Sequence, residues 1–130
     1  MKLSILTATY NRESFLERLY NSIVKNLNSG LEVEWLIMDD GSVDETTKIV
    51  QQFIDEEKVE IKYKKQENQG KMTAINNLMQ YVTGDLIVDC DSDDYFAPNA
   101  FKIIKEEVEK NRKSRLIWNM FLKTKSKWKY

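Results

Sequence analysis

Four aspartates crowd residues 89–94, directly after a short apolar run. The run is Leu86-Ile87-Val88, and the acids that follow it are Asp89, Asp91, Asp93 and Asp94. Carboxylates this close repel one another at neutral pH unless a cation lies among them. Oxygen ligands of this kind suit Mg²⁺ or Mn²⁺. The pattern therefore indicates a strand that ends in a metal site; a solvated acidic surface loop is the structural alternative.

An EF-hand calcium loop is a second alternative for the same acids, because Asp89, Asp91 and Asp93 match its first three ligand positions. The later positions do not match. The turn position that requires glycine holds Asp94, and the position that requires glutamate holds Ala100. A strand-like run also precedes the acids where an EF-hand has a helix. The sequence excludes this kind of calcium site.

A second apolar run, residues 33–38, also ends in acids, at Asp39-Asp40-Gly41-Ser42. In an open α/β sheet the carboxyl ends of parallel strands share one edge, and ligands bind there. We therefore expect the two acidic segments to converge. Carboxylates repel phosphate, but a divalent cation can bind both kinds of oxygen. The pair of segments predicts a site for a phosphate-bearing ligand, although Asp40-Gly41-Ser42 is also an ordinary turn sequence.

Three further side chains could complete such a site. Asp40 could accept a hydrogen bond from a base N–H or a ribose hydroxyl, and Tyr10 offers a ring for stacking. Lys71 precedes a predicted helix and could neutralise phosphate. A packed aromatic and a solvated lysine are the structural alternatives for the last two. The chain has no histidine, so acid–base and metal chemistry falls to carboxylates, Lys or Tyr.

The apolar periodicity predicts the elements that position these residues. Strands are predicted at 3–10, 33–38, 59–63, 86–88 and 116–122, and helices between them at about 12–27, 44–54, 71–83 and 98–108.

Met72 and Met79 are expected on the inner face of the third helix. Asp44 is the predicted N-cap of the second helix, Gly84 the stop of the third and Pro98 the first residue of the fourth. Strict alternation in 59–63 predicts an edge strand. The alternation of strands and helices predicts an α/β fold with a mainly parallel sheet flanked by helices.

Length and composition limit the protein to one domain. The chain has 130 residues, a net charge of −1 and one cysteine, Cys90. This charge gives no general attraction to nucleic acid, and none is expected as a partner. No window approaches the about 20 apolar residues of a membrane span, and the amino terminus lacks the pattern of a signal peptide. We therefore expect a cytoplasmic protein.

The last residues differ in composition from the rest. Residues 1–122 are the predicted domain, and 123–130 form a basic tail that alternates lysines with Trp128 and Tyr130. Such a tail could contact anionic lipid headgroups at the inner membrane face; a solvated terminus is the alternative. Trp118 or Phe121, if exposed, would favour a homo-oligomer.

Four segments resemble, in order, the signatures of family 2 glycosyltransferases. They are Ile5-Leu6-Thr7-Ala8-Thr9-Tyr10-Asn11; Leu36-Ile37-Met38-Asp39-Asp40-Gly41-Ser42-Val43-Asp44; Asn68-Gln69-Gly70-Lys71 with Ala74-Ile75-Asn76; and Gly84-Asp85 leading to Asp91-Ser92-Asp93-Asp94 with Pro98. The resemblance covers nearly the whole chain.

This resemblance implies a GT-A fold, a three-layer Rossmann-like half-domain that binds a nucleotide-diphosphate sugar, with UDP expected as the nucleotide. It also implies metal-dependent, inverting transfer to a glycan or lipid-linked acceptor, as in the synthesis of cell-surface polysaccharides. By position, the nucleobase would contact the backbone of Ala8, the ring of Tyr10 and the side chain of Asp40. Asp91 would lie by the ribose or sugar, and Asp93, the last acid of Asp-x-Asp, would bind Mg²⁺ or Mn²⁺. Asp39 and Lys71 complete the expected donor site.

The chain departs from the pattern of this family at two single positions and in how much of the family's domain it covers. Ile75 stands where members often have Arg, and Asp89 stands where they have an apolar residue. The acceptor site and the catalytic base, an Asp or Glu, lie in a later part of the family's domain, so the base is expected beyond Tyr130. The alternative is a catalytically inactive nucleotide-binding or interaction module. A phosphoacceptor receiver domain is disfavoured, because it needs acids where this chain has Thr7-Ala8-Thr9-Tyr10.

Overall fold

Strands and helices alternate through the part of the chain that the structure, a computed structural model, describes: residues 1–110. The elements are β1 (Lys2–Thr9), α1 (Glu13–Lys25), β2 (Glu32–Asp39), α2 (Thr46–Asp55), β3 (Glu60–Lys65), α3 (Lys71–Leu78), β4 (Leu86–Asp89) and α4 (Ala100–Lys110). Short 3₁₀ turns follow α1 at Leu27–Ser29 and α3 at Met79–Tyr81. The predicted strand 116–122, with Trp118 and Phe121, and the basic tail 123–130 lie outside the described residues.

The four described strands form one parallel sheet in the order β3-β2-β1-β4. At the carboxyl ends, Thr9 of β1 pairs with Asp39 of β2, and Leu6 of β1 with Asp89 of β4. The predicted parallel α/β architecture is confirmed, with β3 on an edge of the described sheet as its alternation predicts. This register brings both acidic segments to the same edge of the sheet.

One face of the sheet carries the larger core, beneath α1, α2 and α4. Trp35 of β2 is fully buried there. Tyr20 of α1 and Phe53 of α2 stack with ring centroids 4.0 Å apart, and Phe101 of α4 completes the layer. The contacts among Tyr20, Phe53 and Trp35 hold α1 and α2 against β2, a strand that leads into the acidic edge.

The opposite face is covered by α3 and has a smaller core. Leu6, Leu36 and Met38 of the sheet pack against Ala74 and Leu78. The three-layer arrangement expected from the sequence is thus present in the described residues.

The inward orientation predicted for Met72 and Met79 is wrong, because these side chains are 72% and 45% exposed. Met72 lies two residues before Ala74, which is buried in α3, and therefore lies on the opposite face of the helix. The α-helix ends at Leu78 and continues as a 3₁₀ turn at Met79, which breaks the period on which the prediction for Met79 depended. Gly84 therefore does not end the helix. A Cβ at Gly84 would lie 2.3 Å from Ser4 Oγ and 2.8 Å from the Lys2 carbonyl oxygen, so close packing against β1 requires glycine there.

Two predicted helix starts are also displaced. The fourth helix begins at Ala100, two residues after Pro98, because Asn99 has a φ of 65° and interrupts the turn. The second helix begins at Thr46 with Glu45 as its N-cap, although Asp44 Oδ1 still accepts the Thr46 N–H at 3.1 Å. Within residues 1–110, none of the helices combines the length and apolar character needed to cross a bilayer.

Candidate functional site

A pocket of about 300 Å³ opens at the carboxyl edge of the sheet. Its lining comes from the end of β1, from the loops after β1, β2 and β4, and from the start of α3: Ala8, Thr9, Tyr10, Arg12, Asp40, Lys71, Asp91, Ser92 and Asp93. Every predicted donor-site and metal residue except Asp39 lines this pocket. Two acidic segments that are some fifty residues apart in the chain therefore meet around one cavity, as the strand order requires.

Asp40 is buried and holds the loop before α3. Its Oδ1 accepts hydrogen bonds from Gln66 Nε2 at 3.0 Å and from the Gln69 N–H at 2.7 Å, and its Oδ2 accepts the Gly70 N–H at 3.0 Å. Burial alone would raise the pKa of Asp40, but these three hydrogen bonds outweigh it and hold that pKa below its usual value. Asp40 is therefore an ionised carboxylate that links the end of β2 to the start of α3.

Asp39 lies beneath the pocket, with its side chain fully buried. Its Oδ1 accepts the Ser42 N–H at 2.7 Å, and its Oδ2 accepts the Tyr63 hydroxyl at 2.5 Å. Burial raises the pKa of Tyr63, and the Asp39 carboxylate raises it further. The Tyr63 hydroxyl therefore stays protonated and donates to Asp39, which fixes the turn that follows β2.

The loop that carries Tyr10 is attached to the same turn through Asn11. The Asn11 N–H donates to Ser42 Oγ at 2.9 Å, and Asn11 Oδ1 accepts the Val43 N–H at 2.9 Å. Asn11 has a φ of 51°, a conformation that Asn tolerates better than most residues. The Tyr10 ring is half exposed beside the pocket, where a flat ligand could stack on it.

The acid turn, defined as residues 91–94, brings three carboxylates together. The Asp94 N–H donates to the Asp91 carbonyl oxygen at 3.0 Å. Asp91, Asp93 and Asp94 each offer an oxygen, and these oxygens lie within 4.8 Å of one another. A set of three carboxylate oxygens fits a hard divalent cation such as Mg²⁺ or Mn²⁺. The acid turn can therefore hold the metal that the sequence predicts, with Asp93 exposed to incoming ligands.

Lys71 pairs with the acid turn from the start of α3, where its ammonium contacts the Asp91 carboxylate. This hydrogen bond raises the pKa of Lys71 above its usual value, and the charges of Asp89 and Asp94 act in the same direction. Lys71 is therefore a cation at the mouth of the pocket.

Asp89 is the last residue of β4 and lies below the acid turn. Its Oδ1 is buried and has no hydrogen-bond partner among the described residues. Its charge contributes to the raised pKa of Lys71, so Asp89 adds negative potential near the site without joining the three clustered carboxylates.

Three residues of the pocket lining were not among the site residues predicted from the sequence: Thr9, Arg12 and Ser92. Thr9 Oγ1 is buried without a hydrogen-bond partner among the described residues. Arg12 is exposed, and its guanidinium carbon lies 5.7 Å from the centroid of the Phe15 ring. Arg12 could have been found from its positive charge, two residues after Tyr10. Nothing in the sequence distinguished Thr9 from Thr7.

Comparison with known proteins identifies relatives for nearly the whole chain. The family model described as Glycosyl transferase family 2 matches residues 4–129. An uncharacterized glycosyltransferase of Mycoplasma genitalium is 35% identical over 124 residues, which are 93% of this chain and 42% of that protein. A poly(ribitol-phosphate) beta-N-acetylglucosaminyltransferase of Staphylococcus aureus, TarS, is 26% identical over 92% of this chain and 21% of its own length. The chain thus spans less than half the length of these relatives.

Solved structures share the fold. TarS residues 1–349 in complex with UDP superimposes with a TM-score of 0.79 and 28% identity, over 86% of this chain and 33% of that one. A Pyrobaculum calidifontis mannosyltransferase, in complex with GDP-Man and Mn²⁺, gives a TM-score of 0.74 at 19% identity, over 82% of this chain and 32% of that one. The parallel sheet and its flanking helices are therefore those of the GT-A fold that the sequence predicts.

Proposed function

The chain belongs to glycosyl transferase family 2, and on that premise we propose that it forms the donor-binding part of an enzyme that transfers a sugar from a nucleotide-diphosphate sugar to an acceptor. The observation that carries this proposal is the convergence of Asp40, Lys71 and the acid turn around one pocket. A nucleotide diphosphate needs polar partners for its base and ribose and positive charge for its phosphates. This edge of the sheet offers both.

We assign the base and ribose to the part of the pocket between β1 and β2. The backbone of Ala8, the ring of Tyr10 and the carboxylate of Asp40 contact the nucleobase, and Asp39 positions Asp40 from beneath. Asp40 already accepts three hydrogen bonds, so a base N–H must share its oxygens or displace part of the loop before α3. The TarS structures with UDP and UDP-GlcNAc support a uridine nucleotide for this chain.

The diphosphate lies by Lys71 and the acid turn in this proposal. Asp93, with its neighbours in the acid turn, holds Mg²⁺ or Mn²⁺, and Asp91 contacts the ribose or sugar. When bound, the metal supplies positive charge that offsets the diphosphate as it leaves. Lys71 must loosen its contact with Asp91 to reach a phosphate. Ile75 stands where members of the family often have Arg, so that residue of α3 brings no positive charge. In this proposal Lys71 is the residue of α3 whose positive charge faces the phosphates.

The acceptor and the stereochemistry belong to the same proposal. We propose inverting transfer to a glycan or lipid-linked acceptor, as in cell-surface polysaccharide synthesis. None of residues 1–110 is assigned as the general base. Residues 1–122 form the nucleotide-sugar-binding domain, and 123–130 form a basic tail suited to peripheral membrane contact. We also propose that the protein associates with further copies of itself as a homo-oligomer.

Calorimetric titration of the full chain with UDP, with and without MnCl₂, tests the donor site. Wild type should bind UDP more tightly with Mn²⁺, and Asp93→Asn should lose that gain, by about 10-fold or more in affinity, because a metal ligand is removed. Asp55→Asn makes the same charge change on an exposed residue at the end of α2 and should bind as wild type does. Absence of UDP binding in wild type, or an unchanged Mn²⁺ effect in Asp93→Asn, would contradict the proposal.

A further inference from the structure

Arg18, an exposed residue of α1, contacts the acid turn. Its Nη2 donates a hydrogen bond to the backbone carbonyl oxygen of Asp93 at 2.7 Å. The guanidinium carbon lies 4.5 Å from the centroid of the Tyr95 ring and 5.9 Å from that of Phe15. A planar guanidinium can donate in its plane while an aromatic ring packs against its face. Arg18 thus connects α1 to the acid turn and to the residue that follows it.

The choice of acceptor atom matters for metal binding. Lys71 pairs with a carboxylate of the acid turn and so competes with any cation that binds there. Arg18 instead bonds the main chain of Asp93, which leaves the Asp93 carboxylate available to a metal. Three clustered carboxylates repel one another, so a turn that carries them needs an external contact to keep its shape.

We propose that Arg18 is a positioning residue for the metal site: by fixing the backbone of Asp93, it orients that carboxylate toward the divalent cation. The inference rests on the proposed function, since it takes Asp93 as a metal ligand. The acidic residues of the site all lie outside α1. The inference adds Arg18 of α1, which acts through its hydrogen bond to the main chain of Asp93. Tyr95 takes part by holding the guanidinium in the orientation that reaches Asp93.

Simple electrostatics makes the opposite prediction. Arg18 is always charged, and removal of a cation near a metal site should strengthen the binding of another cation. A positioning role predicts weaker metal binding after the same substitution. The sign of the change therefore separates the two explanations. Arg18 also faces a surface depression of about 480 Å³, so its truncation leaves no closed cavity and should hardly affect the stability of the fold.

The experiment measures UDP binding by the full chain over a MnCl₂ series, which gives the Mn²⁺ concentration for half-maximal binding. Arg18→Ala should raise that concentration by about 10-fold. This value is the lower end of the loss in metal affinity that follows mutation of a residue supporting a metal ligand. Arg18→Lys keeps a donor but not the flat face, and should fall between Arg18→Ala and wild type. Lys25→Ala, a loss of the same charge from an exposed site on α1, should match wild type. The melting temperature of Arg18→Ala should stay within about 3 °C of wild type.

Each outcome has one meaning. Unchanged or stronger Mn²⁺ dependence in Arg18→Ala overturns the positioning role and leaves the donor site in place. An equal weakening in Lys25→Ala, or a large fall in melting temperature that accompanies the weakening, also overturns it. Absence of Mn²⁺-dependent UDP binding in wild type rejects the proposed function itself, and the inference with it.

Discussion

Adjacent aspartates at the end of β2 have different surroundings because successive strand residues face opposite ways. Asp39 is fully buried and accepts hydrogen bonds from Tyr63 and the Ser42 N–H. Asp40 turns to the pocket and accepts three hydrogen bonds from the loop before α3. The first acid therefore supports the turn, and the second faces the pocket.

Loss of the Tyr63 hydroxyl should destabilise the fold. In Tyr63→Phe, Asp39 Oδ2 loses a donor at 2.5 Å, and an unsatisfied buried oxygen costs about 1–3 kcal/mol. Urea denaturation at pH 7 measures the change in the free energy of unfolding. Tyr81→Phe removes a hydroxyl beside the smaller core and should cost less than about 0.5 kcal/mol. Equal stabilities of the two variants would show that the Tyr63–Asp39 bond contributes nothing.

At the scale of elements, the strands were predictable because their signals are local. The alternation in β3 and the apolar runs before the two acidic segments depend on neighbouring residues alone. Tyr63, which donates to Asp39, and the donors to Asp40 come from β3 and from the loop before α3, more than twenty residues away, and no periodicity encodes such contacts. The error at Met79 has a similar cause, because no periodicity in the sequence marks the change from α-helix to 3₁₀ turn after Leu78.

A buried charge joins β1, β2 and β3 on the face covered by α3. Glu34 is fully buried and accepts hydrogen bonds from Lys62 Nζ at 2.8 Å, from Ser4 Oγ at 2.7 Å and from the Thr83 N–H at 2.8 Å. Burial alone would raise the pKa of Glu34, but these hydrogen bonds outweigh it and lower that pKa. The network aligns the strands at the edge of the sheet opposite the pocket.

Glu34→Gln should therefore cost stability, by about 3 kcal/mol at pH 7, because the Lys62 ammonium loses its buried partner. Wild-type Glu34 has a lower pKa folded than unfolded, so its contribution is full above the ordinary value of 4.5 and declines as pH falls below it. The difference between wild type and Glu34→Gln should accordingly shrink below pH 4.5. Chemical denaturation across pH 3 to 7 measures both effects.

Glu60→Gln is the matched control for this network. It removes an exposed partner of Lys2 and should change the free energy of unfolding by less than about 1 kcal/mol. An equal cost for Glu34→Gln and Glu60→Gln, or a difference between wild type and Glu34→Gln that grows as pH falls, would contradict the assigned role of Glu34.

At the scale of the whole molecule, the candidate site draws on every layer. The pocket takes residues from the ends of β1, β2 and β4 and from α3, and α1 supports the acid turn through Arg18. A ligand that bridges these elements binds the folded state and not the separate segments. Ligand binding should therefore stabilise the domain as a unit.

The melting temperature of the full chain should accordingly rise when UDP and MnCl₂ are added together. At a UDP concentration 100 times its dissociation constant, linkage predicts about 2.7 kcal/mol of added stability, which corresponds to a rise of several degrees. UDP with EDTA should give a smaller rise, since the diphosphate then lacks the cation that offsets the acid turn. Asp93→Asn should show similar rises with MnCl₂ and with EDTA, because its acid turn has lost the proposed metal ligand. If Asp93→Asn matched wild type with Mn²⁺, the metal would act elsewhere than on the acid turn, and the Mn²⁺ dependence of UDP binding would need another carboxylate to explain it.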